Sequence, residues 1–189
     1  FETGEKGGML SVALPAEDLR PLLGDALDLG AVNSPGLSVA SGPSAALMTL
    51  ETELRHREIE FQRIPIDIAA HSRMLDPILD RFRSYLQKIT LNPPTIPITS
   101  NRTGVMMTDE EATSPDYWVS HLRGTVQFTH CLDTLSDRQN RIYLEVGPGH
   151  ALSALARQCE GIAATQVLSS LGHPEEEIEG DRHMLEVLW

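Results

Sequence analysis

Cysteine is scarce in this 189-residue chain, which has only Cys131 and Cys159. They build no CxxC motif and no disulfide framework. That excludes a small stapled fold and fits a reducing, cytoplasmic setting. No apolar run approaches the ~20 residues that a bilayer span needs, so no membrane-integral protein is expected. The opening FETGEKGGML has neither the basic nor the apolar region of a signal peptide. It also lacks an initiating Met, which suggests a piece of a longer chain. Positive charge is short: 15 Lys and Arg face 27 Asp and Glu, for a formal net charge of −12. Neither nucleic acid nor an anionic membrane would attract such a chain, so neither is expected as a partner. Part of the acid excess sits in PEEEIEGD near the C-terminus, which reads as a solvated linker.

What remains is a globular composition, with 41% hydrophobic and 22% charged residues, in a chain long enough to bury a core. The first 65 residues alternate. GGMLSVAL reads as a strand and PAEDLRPLL as a helix. ALDLGAVN and LSVASG read as strands joined by an SPG turn. SAALMTLETELRHR is a helix with Ser44 as its cap and Leu47, Leu50 and Leu54 on one face; IEFQRIPI closes the series as a strand. The resulting β-α-β-β-α-β order is that of a ferredoxin-like unit.

After His71 the texture changes. LDPILDRFRSYLQKI has helical spacing, with Ser72 and Asp76 both eligible as its cap and Pro77 tolerated in the first turn. NPPTIPITSN is extended with a short strand at its end, and SPDYWVSHLRGTVQFTHCLDTL is helical with a break near Gly124. RIYLEVGPG reads as a buried strand, HALSALARQ as a helix and AATQVLSS as a last strand. Strands alternating with helices predict an α/β layer on a parallel sheet. The expected divisions are 1–65, 66–170 and a linker over 171–189.

Several chemistries lack their signatures. There is no GxSxG elbow, no GxxxxGK[ST] loop and no full GxGxxG. His121, His130, Cys131 and His150 match no zinc template, so no metal is expected. LEVGPGH reads as a strand, a tight turn and a helix start rather than as a phosphate cradle. Tyr117 and Trp118 read as core or groove aromatics. The one candidate base is His71 in AAHSRMLDP, between an apolar stretch and a helix. There the helix dipole favours a neutral imidazole, as a general base requires. An ordinary histidine bonded to backbone fits the same position, and from position alone either reading holds.

Taken together, GGMLSVAL, LGAVNSPGLSVASGP, AAHSRMLDPIL, TSNRTG, DYWVSHLRGTVQF, YLEVGPG and the C-terminal TQVLSSLGHPEEEIEGDRHMLEVLW resemble one family, in its order and at its spacing. The chain looks like the C-terminal part, with its following linker, of an acyltransferase domain of a type I modular polyketide synthase. That family includes the malonyl-CoA:acyl carrier protein transacylases.

The resemblance implies an α/β fold: a ferredoxin-like (βαββαβ) small subdomain, then the C-terminal part of an α/β-hydrolase-like subdomain. It implies that the nucleophilic Ser, in a GHSxG elbow, lies upstream of Phe1, so that this chain is inactive alone. His71 is the implied base. The backbone carbonyl of His121 is the implied acceptor for its Nδ1–H, although the family commonly has Asn or Gln at that position. Substrate choice in the family tracks the four residues ending at the catalytic histidine. Here that string is Ile68, Ala69, Ala70 and His71, which matches neither the malonyl nor the methylmalonyl pattern. Malonyl is favoured on family frequency, while the small Ala70 leaves room for an α-methyl. The implied partners are acyl-CoA as donor, an acyl carrier protein bearing phosphopantetheine, the missing N-terminal half and neighbouring synthase domains. No bound cofactor is implied. The competing expectation is a non-catalytic docking or scaffold segment of a megasynthase.

Overall fold

The structure, a computed structural model, describes residues 6–136 and 141–172. The chain divides into two compact units between Cys131 and Leu132. Most of the 171–189 linker, PEEEIEGD included, lies outside the described residues.

The first unit is built on a four-stranded sheet of β1 (Gly7–Val12), β2 (Asp28–Ser34), β3 (Leu37–Pro43) and β4 (Phe61–Arg63). Its strand order is β2-β3-β1-β4 and every neighbouring pair is antiparallel, with Leu10 opposite Ala40 on one side and Arg63 on the other. Two helices follow the predicted order, α1 (Ala16–Leu19) between β1 and β2 and α2 (Ser44–His56) between β3 and β4. Because strand side chains alternate, the sheet has two different faces. Leu10, Val12, Leu29 and Ala40 point to the helices and pack with Leu19, Leu47, Leu50 and Leu54 in the main core. Met9, Ala31 and Val39 point the other way and carry Ile64, Ala70 and Val126. That second face supports the loop of His71.

Local chemistry trims several predicted elements. The helix expected over 15–23 is α-helical only to Leu19 and continues as a 3₁₀ turn at Arg20–Leu22, since Pro21 has no N–H for the carbonyl of Glu17. Ser44 is not the cap of α2 but its first residue. Its N–H donates to the Lys6 carbonyl and its hydroxyl to Gly7, while Pro43 holds the cap position. Ser72 caps a 3₁₀ turn at Arg73–Leu75 that runs into α3 (Asp76–Leu86). No strand forms within 92–101; Pro93, Pro94 and Pro97 leave a single bridge from Thr99 to Met106.

The helical stretch expected over 114–135 is two helices, α5 (Pro115–Arg123) and α6 (Phe128–Ser136), and a short helix that was not expected, α4 (Asp109–Thr113), precedes them. Thr108 and Glu111 form a capping box on α4, and Ser114 accepts from the Tyr117 N–H to cap α5. The break at Gly124 is as predicted. Beyond it Val126 pairs with Ala31 alongside β2, and the Thr125 hydroxyl donates to the Leu29 carbonyl at 2.7 Å. Residues 66–131 therefore fold with the small sheet in one unit, and no break in compactness falls at 65/66.

In the second unit β5 (Tyr143–Glu145) pairs in parallel with β6 (Val167–Ser169), and α7 (Ala151–Ala156) packs on both. The strand read as buried over 141–149 is three residues long and not buried: Ile142, Leu144 and Val146 are 62%, 46% and 83% exposed. Among the described residues β5 pairs with β6 alone, so its apolar side chains lack cover there.

Candidate active site

His71 sits on a loop drawn tightly against the sheet. A Cβ on Gly7 would stand 2.7 Å from that of Ala69, so β1 and the loop touch only because residue 7 has no side chain. The Ser41 hydroxyl, from β3, donates to the Ala70 carbonyl at 2.5 Å. Ser72 is fully buried; its hydroxyl donates to the Ala69 carbonyl at 2.8 Å and accepts from the Met74 N–H at 3.2 Å. That occupies Ser72 as a cap and leaves it no role as a nucleophile. Held from both sides, His71 adopts φ +57°, in the left-handed region. A non-glycine residue there costs about 1–2 kcal/mol, which the surrounding bonds must offset.

The imidazole is half-buried, and its Nδ1 is buried with no hydrogen-bond partner among the described residues. The bond expected from Nδ1–H to the His121 carbonyl is therefore not formed. Instead the His121 ring, from α5, stands edge-on to His71, with ring centroids 6.3 Å apart and planes at 83°. Behind it, Trp118 and Tyr117 lie 5.7 and 6.3 Å from His121. Trp118 is anchored by its indole N–H to the Ala112 carbonyl and Tyr117 by its hydroxyl to Ser100. These aromatics thus line the wall of the histidine pair. Burial, and then the proximity of His71, pushes the His121 imidazole below its usual range. A buried, unpaired nitrogen costs about 1–3 kcal/mol and calls for an explanation.

The other residues of the substrate string divide. Ile68 is 40% exposed, Ala70 is half-buried on the Met9, Ala31 and Val39 cluster, and Ala69 is 3% exposed against β1. Ala69 is thus a packing residue, because its methyl fills the space over Gly7. His130 bonds Gln127, His150 bonds Ser169, and the Cys131 thiol bonds the Ser100 carbonyl and Asn101, so these groups are not brought together. Among the described residues no cluster of three or more His, Cys, Asp or Glu side chains could hold a metal ion.

One part of the site is not readable from local sequence. Asp28, at the start of β2, accepts from the Arg73 N–H at 2.7 Å and from the Arg73 guanidinium at 3.0 and 3.1 Å. Arg123 reaches the same carboxylate at 3.5 Å and bonds Asp76 at 2.7 Å. Burial alone would raise the Asp28 carboxyl, but the bonds from Arg73 and the charge of Arg123 hold it below the ordinary aspartate range. Arg73 lies 45 residues from Asp28, and Arg123 lies 47 from Asp76, so no spacing rule links them.

A family model described as "Acyl transferase domain" matches residues 2–180, and the chain belongs to that family. Relatives include a phenolphthiocerol/phthiocerol polyketide synthase of Mycobacterium tuberculosis, 31% identical over 92% of this chain and 12% of that protein. Polyketide synthase GfsA of Streptomyces halstedii is 37% identical over 78% of this chain and 2% of its own length. Among solved structures, the acyl transferase domain of SpnD, in complex with 2-(pent-4-yn-1-yl)malonyl, superposes with a TM-score of 0.91 at 38% identity. That superposition covers 97% of this chain and 45% of the SpnD chain. FabD of Acinetobacter baumannii, at 22% identity and a TM-score of 0.81, shares the fold. The chain thus spans less than half of the SpnD domain it matches and a small fraction of the synthases.

Proposed function

We propose that this chain supplies the general base of an acyltransferase that moves an acyl group from CoA to the phosphopantetheine thiol of an acyl carrier protein. The observation that carries the reading is His71: a strained, half-buried imidazole with a buried, unpartnered Nδ1, in a chain of the acyl transferase family. The sequence has no GxSxG elbow, so the nucleophilic serine belongs to a segment outside these residues, and this chain alone forms no acyl-enzyme. We read the small sheet as a ferredoxin-like subdomain over 1–65, from its βαββαβ order and antiparallel arrangement. We read 66–170 as part of an α/β-hydrolase-like subdomain. The setting is cytoplasmic, one that a chain with only two cysteines and no CxxC motif fits.

In the proposed reaction His71 takes the proton of the serine Oγ as that oxygen attacks the thioester carbonyl. The C–S bond breaks and the imidazolium returns the proton to the CoA thiolate. The carrier thiol then loses its proton to His71 and attacks the acyl-serine; the serine oxygen leaves and recovers that proton. His121 orients the ring of His71, which it meets edge-on with centroids 6.3 Å apart. A malonyl-type group is favoured, supported by the substituted malonyl bound to the SpnD domain. Ile68 and Ala70 border that group. Neighbouring synthase domains and the carrier protein are the partners.

The decisive test is His71→Ala in the complete acyltransferase domain. Transfer should fall about 10²–10⁴-fold, while near-normal transfer would leave a docking segment as the better reading. For substrate choice, Ala70→Phe should penalise methylmalonyl-CoA against malonyl-CoA by about 5- to 150-fold, for an overpacking cost of about 1–3 kcal/mol. The ratio of kcat/KM values within the variant separates this from any loss of stability. An unchanged ratio would remove Ala70 from the pocket.

A further inference from the structure

Resting on the reading of His71 as the base, we propose that Asp28 is a positioning residue for it, acting through Arg73 and Arg123. Its side chain is only 16% exposed, and both oxygens are engaged. Arg73 stands two residues after His71, and its backbone N–H as well as its guanidinium is bound by Asp28. The carboxylate therefore holds the backbone that exits the left-handed turn, and not merely a surface side chain. Arg123 stands two residues after His121 and ties the end of α5 to the same carboxylate. Its second bond, to Asp76, adds the first residue of α3. One strand residue thus fixes the two segments whose rings meet at 6.3 Å.

Isolated exposed ion pairs contribute little. A forked guanidinium on a mostly covered carboxylate, with a backbone donor added, restricts geometry far more. The four groups carry two negative and two positive charges. They can therefore fix position without placing net charge beside the base.

The test uses the complete acyltransferase domain. Asp28→Asn should lower kcat for acyl transfer about 10- to 100-fold, the range for a misplaced catalytic group, with the KM for acyl-CoA unchanged. Arg73→Lys, which keeps the charge but loses the fork, should show a smaller loss of the same kind and carries the test if Asp28→Asn does not fold. In a His71→Ala background, Asp28→Asn should produce no further loss, because it acts through a side chain already gone. Full activity in both single variants, or an undiminished additional loss in the His71→Ala background, would overturn the proposal. Normal transfer by His71→Ala itself would instead overturn the function on which it rests.

Discussion

Two histidines stand just ahead of helices in this molecule, and their surroundings are opposite. His150 has an ordinary φ of −134°, and its Nδ1 bonds the Ser169 hydroxyl at 2.9 Å. Around it Gly147 donates to Ser170, Gly149 to the Gly172 carbonyl, and the Glu145 carboxylate accepts from the N–H groups of Leu152 and Ser153 at 3.1 and 2.8 Å. The GPG turn is thus tied to its own unit, and the Glu145 carboxylate caps α7. His71 has a left-handed backbone and a buried nitrogen without a partner. Satisfied groups at one strand–helix junction mark architecture. An unsatisfied group at a strained junction, held in place by bonds on both sides, is what the proposed role of His71 as a base accounts for.

The sharpest way to break this contrast is to remove each imidazole in the complete domain. His71→Ala should cost the 10²–10⁴-fold given above, while His150→Ala should leave the rate within about 10-fold, below the range of a lost general base. Equal losses would end the comparison. Next comes Gly7→Ala, which touches no reacting group. Its new methyl would press on Ala69 and displace the His71 loop. Thermal unfolding should show a loss of about 1–3 kcal/mol, and transfer should fall by up to about 100-fold. A normal rate in this variant would mean that the loop tolerates movement. Smallest is Glu145→Ala, which should leave the chemistry alone and cost about 0.5–2 kcal/mol of stability, as a lost cap does.

The last effect should depend on pH. Burial alone would raise the Glu145 carboxyl, but bonds from Ser153 and Leu152 hold it below the ordinary glutamate value of 4.5. Its stabilisation is therefore complete above that ordinary value and disappears as pH falls through the lower folded one. Melting curves of Glu145→Ala and the parent protein should converge in acid. A gap that persists there would assign the effect to packing.

Much of the first unit was legible. Leu47, Leu50 and Leu54 recur at helical spacing and are all buried, and the alternation in GGMLSVAL separates Leu10 and Val12 from Met9 as the sheet requires. His71 was legible as a position, because a lone histidine before a helix start can be seen in the sequence. Its strain was not, since a left-handed turn at a non-glycine residue is imposed by Ser41, Gly7 and Ser72 rather than by local preference. Asp28 stayed invisible for a related reason: its partners are adjacent only after folding. RIYLEVGPG misled because an apolar run reports what a strand could bury, and β5 pairs on one side alone among the described residues.

The left-handed turn at His71 has an evolutionary consequence. Glycine occupies that region freely, so His71→Gly should melt higher than His71→Ala, in which the β-carbon penalty of about 1–2 kcal/mol remains. Selection for stability alone would drive this position toward glycine and away from the proposed base. The His71→Gly variant also opens a space the size of an imidazole ring. Free imidazole added to the complete domain should restore part of the lost transfer, with a response that saturates as the space fills. No restoration at any concentration would show that the tether to the strained turn, and not the ring alone, makes the base competent.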